Sequence, residues 1–208
     1  MSESGVTSDP TAHAWDDAYA GDRPPWDIGR PQRAFLRLAD AGAFTGSLID
    51  VGCGTGEHAI LAAQRGTRAL GVDLSERAVT SARAKAAARA VDARFRVLDA
   101  LDFESLGETY DTVLDSGLFH VFDDHTRPRY VAALRAVLRE GGHLYLMGFS
   151  DEEPGDWGPR RISEAELRAA FTTGWRVLSL ERDHFEINPS PAASAAAAAA
   201  WVVDVVRV

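Results

Sequence analysis

The sequence predicts an α/β fold: a Rossmann-like, doubly wound seven-stranded sheet, mostly parallel, with an antiparallel C-terminal strand. Three observations predict it. Short apolar runs alternate with helical segments from residue 48 to residue 149, the rhythm of parallel strands joined by crossover helices. A glycine-rich turn, Gly52-Cys53-Gly54-Thr55-Gly56, follows the first run directly, at the strand end where open parallel sheets bind ligands. After Phe171 the rhythm breaks into two apolar runs with no helix of the usual kind between them, which suits an antiparallel pair closing one edge.

The elements follow in order. Residues 1–10 are polar, are expected to be disordered and carry no apolar run of a secretory signal. Residues 11–208 are expected to form one domain, of which 11–45 is an N-terminal cover. The cover begins with a helical segment holding Trp15 and Tyr19, passes through the turn-rich stretch Gly21–Pro31 around Trp26, and enters a helix over Gln32–Ala41. Pro31 suits the first turn of that helix, where a missing N–H costs nothing. Then come a strand at Leu48–Val51, a helix from Glu57 to Arg65, and a strand at Ala69–Val72 that ends at Asp73. Ser75 is an N-cap for an alanine- and arginine-rich helix reaching Ala90. Strands at Ala93–Leu98 and Thr112–Asp115 precede a helix at Arg127–Arg139, for which Gly141-Gly142 is the stop signal, and a strand at His143–Phe149. Ser163 with Glu166 three residues on forms a capping box for a helix through Phe171. Trp175–Leu180 and Trp201–Val208 are the closing strands, and the alanine tract Ala192–Ala200 reads as a spacer before the last of them.

Composition narrows the function. At 208 residues, 46% hydrophobic and 25% charged, the chain is long enough for one domain with a sizeable core. A net charge of −9 argues against a nucleic acid as substrate, because phosphate binding needs a basic face. No run reaches the ~20 apolar residues of a membrane helix, so no membrane partner is expected and a cytoplasmic location is. The single cysteine, Cys53, excludes an internal disulfide and a multi-cysteine zinc site, and no metal is expected.

The glycine turn selects its ligand by what it lacks. A dinucleotide fingerprint would place a third glycine at position 57, where this chain has Glu57. With Asp50 just before the turn, two acids surround one loop; they oppose a phosphate and suit a cation. S-adenosylmethionine has an ammonium, a sulfonium and no phosphate. The next strand ends are acidic too. Asp73 can accept both hydroxyls of a ribose, Asp99 can accept an adenine amino group, and Asp115 closes the fourth strand.

This arrangement resembles the class I S-adenosylmethionine-dependent methyltransferases from Leu48 through Val208, on the segments Val51–Gly56, Gly71–Ser75 and Leu98-Asp99-Ala100. The resemblance implies that Asp50, Gly52 and Gly54 hold the methionine portion, Asp73 and Leu74 the ribose, and Asp99 and Ala100 the adenine. Asp115 and Ser116 are expected to complete the cofactor site. Trp15, Tyr19 and the stretch Pro25–Pro31 are similar to the start of the thiol, halide and thiopurine methyltransferases, with a length closer to compact bacterial small-molecule methyltransferases. That similarity implies that Trp15, Tyr19 and Trp26 face the cofactor; aromatic faces near a sulfonium stabilise it by roughly 0.5–2 kcal/mol.

The fourth loop reads Asp115-Ser116-Gly117-Leu118, without the Asp/Asn-Pro-Pro-Tyr/Phe run that serves exocyclic amines, which weighs against nucleic-acid and glutamine substrates. His120 is the candidate catalytic acid–base group, since an imidazole of pKa ~6.5 can take a proton from a thiol, phenol or N-hydroxyl at neutral pH; the alternative is that it only bonds backbone. His125 and His184 are weaker candidates. Phe119, Trp157 and Arg161 are expected to wall the acceptor pocket, with Arg161 either holding an anionic oxygen or lying solvated. The expected function is methyl transfer to a heteroatom (S, O or N) of a small molecule, a thiol or hydroxylated heteroaromatic, in detoxification. The alternatives are an NAD-dependent oxidoreductase that uses Asp73 and a non-catalytic S-adenosylmethionine-binding protein.

Overall fold

The structure is a computed structural model that describes residues 12–21, 23–189 and 196–208. The expected disorder of residues 1–10 and the first part of the alanine tract lie outside the described residues. Among the described residues seven strands make one sheet: β1 (Ser47–Val51), β2 (Arg68–Asp73), β3 (Arg94–Val97), β4 (Tyr110–Ser116), β5 (Leu138–Phe149), β6 (Trp175–Glu186) and β7 (Ala197–Arg207). Their order is β3-β2-β1-β4-β5-β7-β6, with every pair from β3 to β5 parallel and β7 antiparallel to both neighbours. Among the described residues six α-helices accompany it: α1 (Ala12–Ala18), α2 (Arg33–Asp40), α3 (Glu57–Gln64), α4 (Glu76–Ala88), α5 (Arg127–Val137) and α6 (Glu164–Ala170).

The apolar strands are buried on both faces, because side chains alternate across a pleated strand and helices cover each side. Leu48, Leu114 and Met147 pack with Phe35, Ile60 and Val79 in one core cluster. Their strand neighbours Ile49, Val113 and Leu146 pack with Tyr130, Leu134 and Leu167 in the other. Strand order reverses between β1 and β4, and ligand crevices open at such a switch point beyond the carboxyl ends. Register aligns those ends: Val51 stands opposite Val72 of β2 and Asp115 of β4. The glycine turn, Asp73 and the turn after β4 therefore emerge side by side.

Both expected caps form. The Ser75 hydroxyl accepts from the Ala78 N–H, and Ser163 and Glu166 make the reciprocal capping box. Two expectations need correction. Helix α5 ends at Val137, and Leu138 already pairs with Tyr110, so Gly141-Gly142 lies in an irregular stretch of β5 rather than stopping a helix. The alanine tract is not a spacer over its last residues: β7 begins at Ala197, and Ala198 and Ala200 are buried between β6 and Phe149 of β5. Alanine is a weak strand former, but ladder pairing to β6, which runs on to Glu186, overrides propensity.

The cover is fastened to that long strand. The Gln32 side-chain amide donates to the Glu186 carbonyl at 2.9 Å and accepts from the Glu186 N–H at 2.8 Å. Arg30 grips the Glu186 carboxylate with both terminal nitrogens at 2.8 and 2.9 Å. Just beyond, the Asn188 N–H donates to the Pro25 carbonyl and its side-chain amide to the Asp27 carbonyl, each at 2.7 Å, flanking Trp26.

Candidate functional site

The cradle starts at the turn after β1. Gly52 and Gly54 have φ of +64° and +52°, a region that side chains disfavour. A Cβ on Gly54 would come within 2.9 Å of the Tyr19 hydroxyl oxygen. The bare backbone is thus required by the turn and by what lies over it. Gly56 caps α3 without a side chain, and Asp50 does the work instead: its Oδ2 accepts from the Ala59 N–H in the first turn, at 3.2 Å. Oδ1 of Asp50 is buried and has no hydrogen-bond partner among the described residues. Burial raises this carboxyl to about 8. A buried oxygen without a partner is costly, and an ammonium brought to the turn would satisfy it. That orphaned oxygen, with the glycine backbone beside it, fits the methionine end of S-adenosylmethionine.

Asp73 ties the turn to β2. Its Oδ2 accepts from the Gly54 N–H at 2.8 Å and its Oδ1 from the Ser75 N–H at 2.9 Å. Burial pushes its pKa up despite these bonds. Each carboxylate oxygen keeps a further lone pair for a ribose hydroxyl. Leu74 is half-buried beside it, and Asp99 and Ala100 follow β3, where the Leu98 N–H binds the Asp73 carbonyl. Asp99 is exposed, and its carboxylate holds the Leu101 N–H at 2.9 Å.

Glu57 does something other than expected. Its carboxylate faces α4, accepting from Lys85 Nζ at 2.9 Å and from both Arg89 terminal nitrogens at 2.7 and 3.0 Å. Burial alone would raise it, but Arg89 and Lys85 hold it below the usual carboxylate range. Its charge is spent inside the fold, so the acidity of the turn comes from Asp50 and Asp73.

The three cover aromatics gather as a group. Trp26 Nε1 donates to the Tyr19 hydroxyl at 2.9 Å, and the Trp15 and Trp26 rings meet edge to face with centroids 5.9 Å apart. Asp16, which carries no sequence signal, docks α1: its carboxylate accepts from the Ser75 hydroxyl at 2.5 Å and the Arg77 N–H at 3.2 Å.

The turn after β4 and the loop after β5 correct four expectations. The Asp115 carboxylate does not reach outward; it is buried and accepts from the Tyr130 hydroxyl at 2.8 Å, the Leu118 N–H at 2.7 Å and the Phe119 N–H at 3.0 Å. It shapes the loop, and burial raises it to about 6. The neighbouring Ser116 remains half-buried at the strand end. Phe119 walls no pocket: it is fully buried, stacked on Phe171 at 5.7 Å, with the Arg127 guanidinium 5.1 Å from its ring centroid. Arg161 is neither solvated nor free for an anion, since its guanidinium donates to the carbonyls of Glu153, Pro154, Trp157 and Pro159 and braces that loop.

His120 is the fourth. It is buried, and its Nδ1 accepts from the Phe149 N–H at 2.9 Å. Burial, with the Arg161 charge nearby, lowers the imidazole to about 3. The ring is therefore neutral at neutral pH and carries its proton on Nε2. That tautomer offers a donor, not the expected base. His125 and His184 are exposed.

Around His120 stands a group that sequence reasoning half missed. Phe149 lies edge-on to the imidazole at 5.1 Å, Phe185 is at 6.1 Å, and Trp157 packs on Phe149 at 5.3 Å. Trp157 was expected there. Phe149 was visible only as the last residue of a strand, and Phe185 lay beyond the expected end of β6.

Comparison with known proteins agrees with this geometry. The family described as "Methyltransferase domain" matches residues 48–142. The 2-heptyl-1-hydroxyquinolin-4(1H)-one methyltransferase of Mycobacteroides abscessus is 33% identical over 158 residues, covering 74% of this chain and 70% of that protein. Probable thiol methyltransferase 2 of Arabidopsis thaliana is 24% identical over 188 residues, covering 88% of this chain and 83% of that protein. A solved structure reported for the conversion of a disulfide bond into a thioacetal group during echinomycin biosynthesis is 34% identical, with a TM-score of 0.84 over 95% of this chain and 93% of that one. Further structures with this fold, 18% identical, hold S-adenosylmethionine or S-adenosylhomocysteine. No helix among the described residues is long and apolar enough to cross a membrane. With these matches and a cradle suited to a cationic nucleoside ligand, the chain belongs to the class I S-adenosylmethionine-dependent methyltransferases.

Proposed function

We propose that this enzyme methylates the sulfur, oxygen or nitrogen of a small planar molecule, an aromatic thiol or a hydroxylated heteroaromatic, in detoxification. The observation that carries the reading is the aromatic group Phe149, Trp157 and Phe185 beside His120 at the carboxyl ends of β4, β5 and β6. Offset or edge contacts with a flat acceptor contribute about 0.5–1.5 kcal/mol per ring beyond area burial. The activities in the names of the hydroxyquinolone and thiol methyltransferase relatives support the same acceptor class.

In this reading Asp50 Oδ1 takes the ammonium of the methyl donor, the Gly52 and Gly54 backbone lines its methionine chain, Asp73 and Leu74 hold the ribose, and Asp99 and Ala100 meet the adenine. Ser116 and the backbone of the Asp115 turn border the methionine side. S-adenosylmethionine supplies a methyl group already activated on a sulfonium. The chain's own residues align the acceptor and exclude water, which is the main demand of an in-line displacement. Trp15, Tyr19 and Trp26 close the cradle and present aromatic faces to the cation.

The test is product formation from methyl-labelled S-adenosylmethionine across thiophenols, hydroxyquinolines, phenols and halides. Labelled thioethers or methoxy heteroaromatics are expected. Transfer to halides alone, or to no aromatic acceptor, would refute the proposed acceptor class.

A further inference from the structure

We infer that this enzyme methylates its acceptor as a preformed anion, received by His120 as an Nε2–H hydrogen-bond donor, so that no protein base removes the acceptor's proton. The inference rests on the acceptor site proposed above and goes further in naming the ionisation state that the site selects.

One bond sets the tautomer. The Phe149 N–H belongs to the end of β5 and donates to His120 Nδ1 at 2.9 Å. A nitrogen that accepts there carries no proton, so the neutral ring keeps its hydrogen on Nε2. The opposite tautomer would set two donors against each other inside the fold. Nε2 itself has no hydrogen-bond partner among the described residues. It faces the turn after β4: a Cβ built on Gly117 would crowd Nε2 at 3.2 Å and the Phe185 ring at 3.1 Å. Gly117 has φ +89°, so a glycine sits there without strain and sets no side chain against Nε2.

The surroundings favour a donor over a base. A histidine base is usually oriented by a carboxylate on its second nitrogen, which stabilises the imidazolium formed on proton uptake. Here the second nitrogen faces a backbone N–H. The titratable groups on the elements packed against the ring are otherwise engaged. Asp115 accepts from Tyr130 and two backbone N–H groups, and Glu153 accepts from the Ala199 N–H. Glu186 is held by Arg30 and Arg33. On β6, His184 and Asp183 border Phe185; His184 is exposed, and Asp183 is paired with Arg37. Among the described residues, Arg161, bound to four carbonyls, is the charged group that bears on the imidazole, and it opposes a second positive charge. A fixed N–H in an aromatic-walled site is a preorganised donor for an anion.

The step balances without a proton transfer. The acceptor leaves its proton in solvent. Its anionic sulfur or oxygen forms the bond to the methyl carbon while the methyl–sulfonium bond breaks, and that electron pair stays on the departing sulfur as a neutral thioether. The proton on Nε2 does not move. The site therefore selects aromatic thiols and acidic N-hydroxy or hydroxy heteroaromatics over alcohols, which stay protonated near neutral pH.

The direct test uses the whole protein with 15N-labelled histidine, without an acceptor. His120 is identified by hydrogen-bond coupling between its Nδ1 and the Phe149 amide. A neutral ring with Nδ1 bare and Nε2 protonated at neutral pH is expected; an imidazolium or an Nδ1–H ring would overturn the inference. The kinetic test uses substituted thiophenols at saturating S-adenosylmethionine. The pH at which kcat/KM levels off should track each thiol's own pKa, and a break fixed at one pH for every thiol would overturn the donor role. His120→Leu should lower kcat by about 100-fold, as for loss of one preorganised donor, with S-adenosylmethionine affinity kept. His120→Gln, which retains an amide donor, should recover part of that loss; equal rates for the two variants would also count against it. Failure of the acceptor proposal would show differently, as cofactor binding with no transfer to any aromatic acceptor, and the imidazole spectrum decides the tautomer independently.

Discussion

Replacing Asp73 by asparagine separates two roles of one carboxylate. In the structure its two oxygens hold the Gly54 N–H at 2.8 Å and the Ser75 N–H at 2.9 Å, which fixes the glycine turn against β2. An amide has one acceptor oxygen, so in Asp73→Asn one of those N–H groups meets an NH2 instead. Leaving a partly buried donor unpaired costs about 1–3 kcal/mol. In a chain of this length that lowers Tm by roughly 2–4 °C per kcal/mol. Separately, the charged hydrogen bond to a ribose hydroxyl is worth about 1.5–3 kcal/mol, so the dissociation constant for S-adenosylmethionine should rise about 10- to 100-fold. Calorimetric titration reads the affinity and scanning calorimetry reads the stability. A variant that melts earlier yet binds S-adenosylmethionine within about twofold of wild type would confine Asp73 to shaping the turn and refute its place in the cofactor cradle.

Other outcomes follow from the same geometry. Asp50 has its carboxyl raised by burial to about 8 from the ordinary aspartate value of 3.8, so the folded protein holds a proton that the unfolded chain has lost between those pH values. Its contribution to ligand-free stability is fully present below the lower pKa and is lost as pH rises through the upper one. A bound ammonium favours the ionised form, so S-adenosylmethionine affinity should rise from pH 6 towards pH 8 with proton release, detectable by titrating in buffers of different ionisation heat; flat, proton-neutral binding would count against the contact. Glu57→Gln should leave S-adenosylmethionine affinity nearly unchanged while costing about 1–3 kcal/mol of stability measured by denaturant titration, because the partly exposed Lys85 and Arg89 lose a buried charged partner. Trp26→Ala removes a ring that is 41% exposed, so stability should barely change. Loss of an aromatic face worth roughly 0.5–2 kcal/mol should nonetheless weaken S-adenosylmethionine binding about 2- to 30-fold by calorimetry.

The features legible in the sequence were local ones. The runs Leu48–Val51 and His143–Phe149 announced strands because both faces are buried, and Ser75, Ser163 and Glu166 announced helix starts because capping is settled within three residues. The glycine turn could be read because its backbone geometry demands residues without Cβ. What escaped depended on partners far along the chain. Glu57 looked like a ligand-facing acid until Lys85 and Arg89, a helix away, claimed it. Phe119 and Arg161 have residue types suited to a pocket, yet Phe171 and a set of loop carbonyls occupy them. The strand identity of Ala197–Ala200 came from the ladder with β6, which β5 joins at Ala200, and no local propensity carries that. His120 could be located near the turn after β4, but its tautomer was fixed by the Phe149 N–H of another strand, and with it the difference between a base and a donor.

The central claim is methyl transfer from a cofactor at the glycine turn to an aromatic heteroatom beside His120. It is tested most directly by following S-adenosylmethionine carrying a 13C methyl group, by NMR, in the presence of the wild-type protein and a hydroxyquinoline or thiophenol. The account predicts that the sulfonium methyl signal disappears as an O-methyl or S-methyl signal of the acceptor grows in equal amount, with S-adenosylhomocysteine released. A label that stays on the sulfonium while S-adenosylmethionine and acceptor are both bound would contradict it.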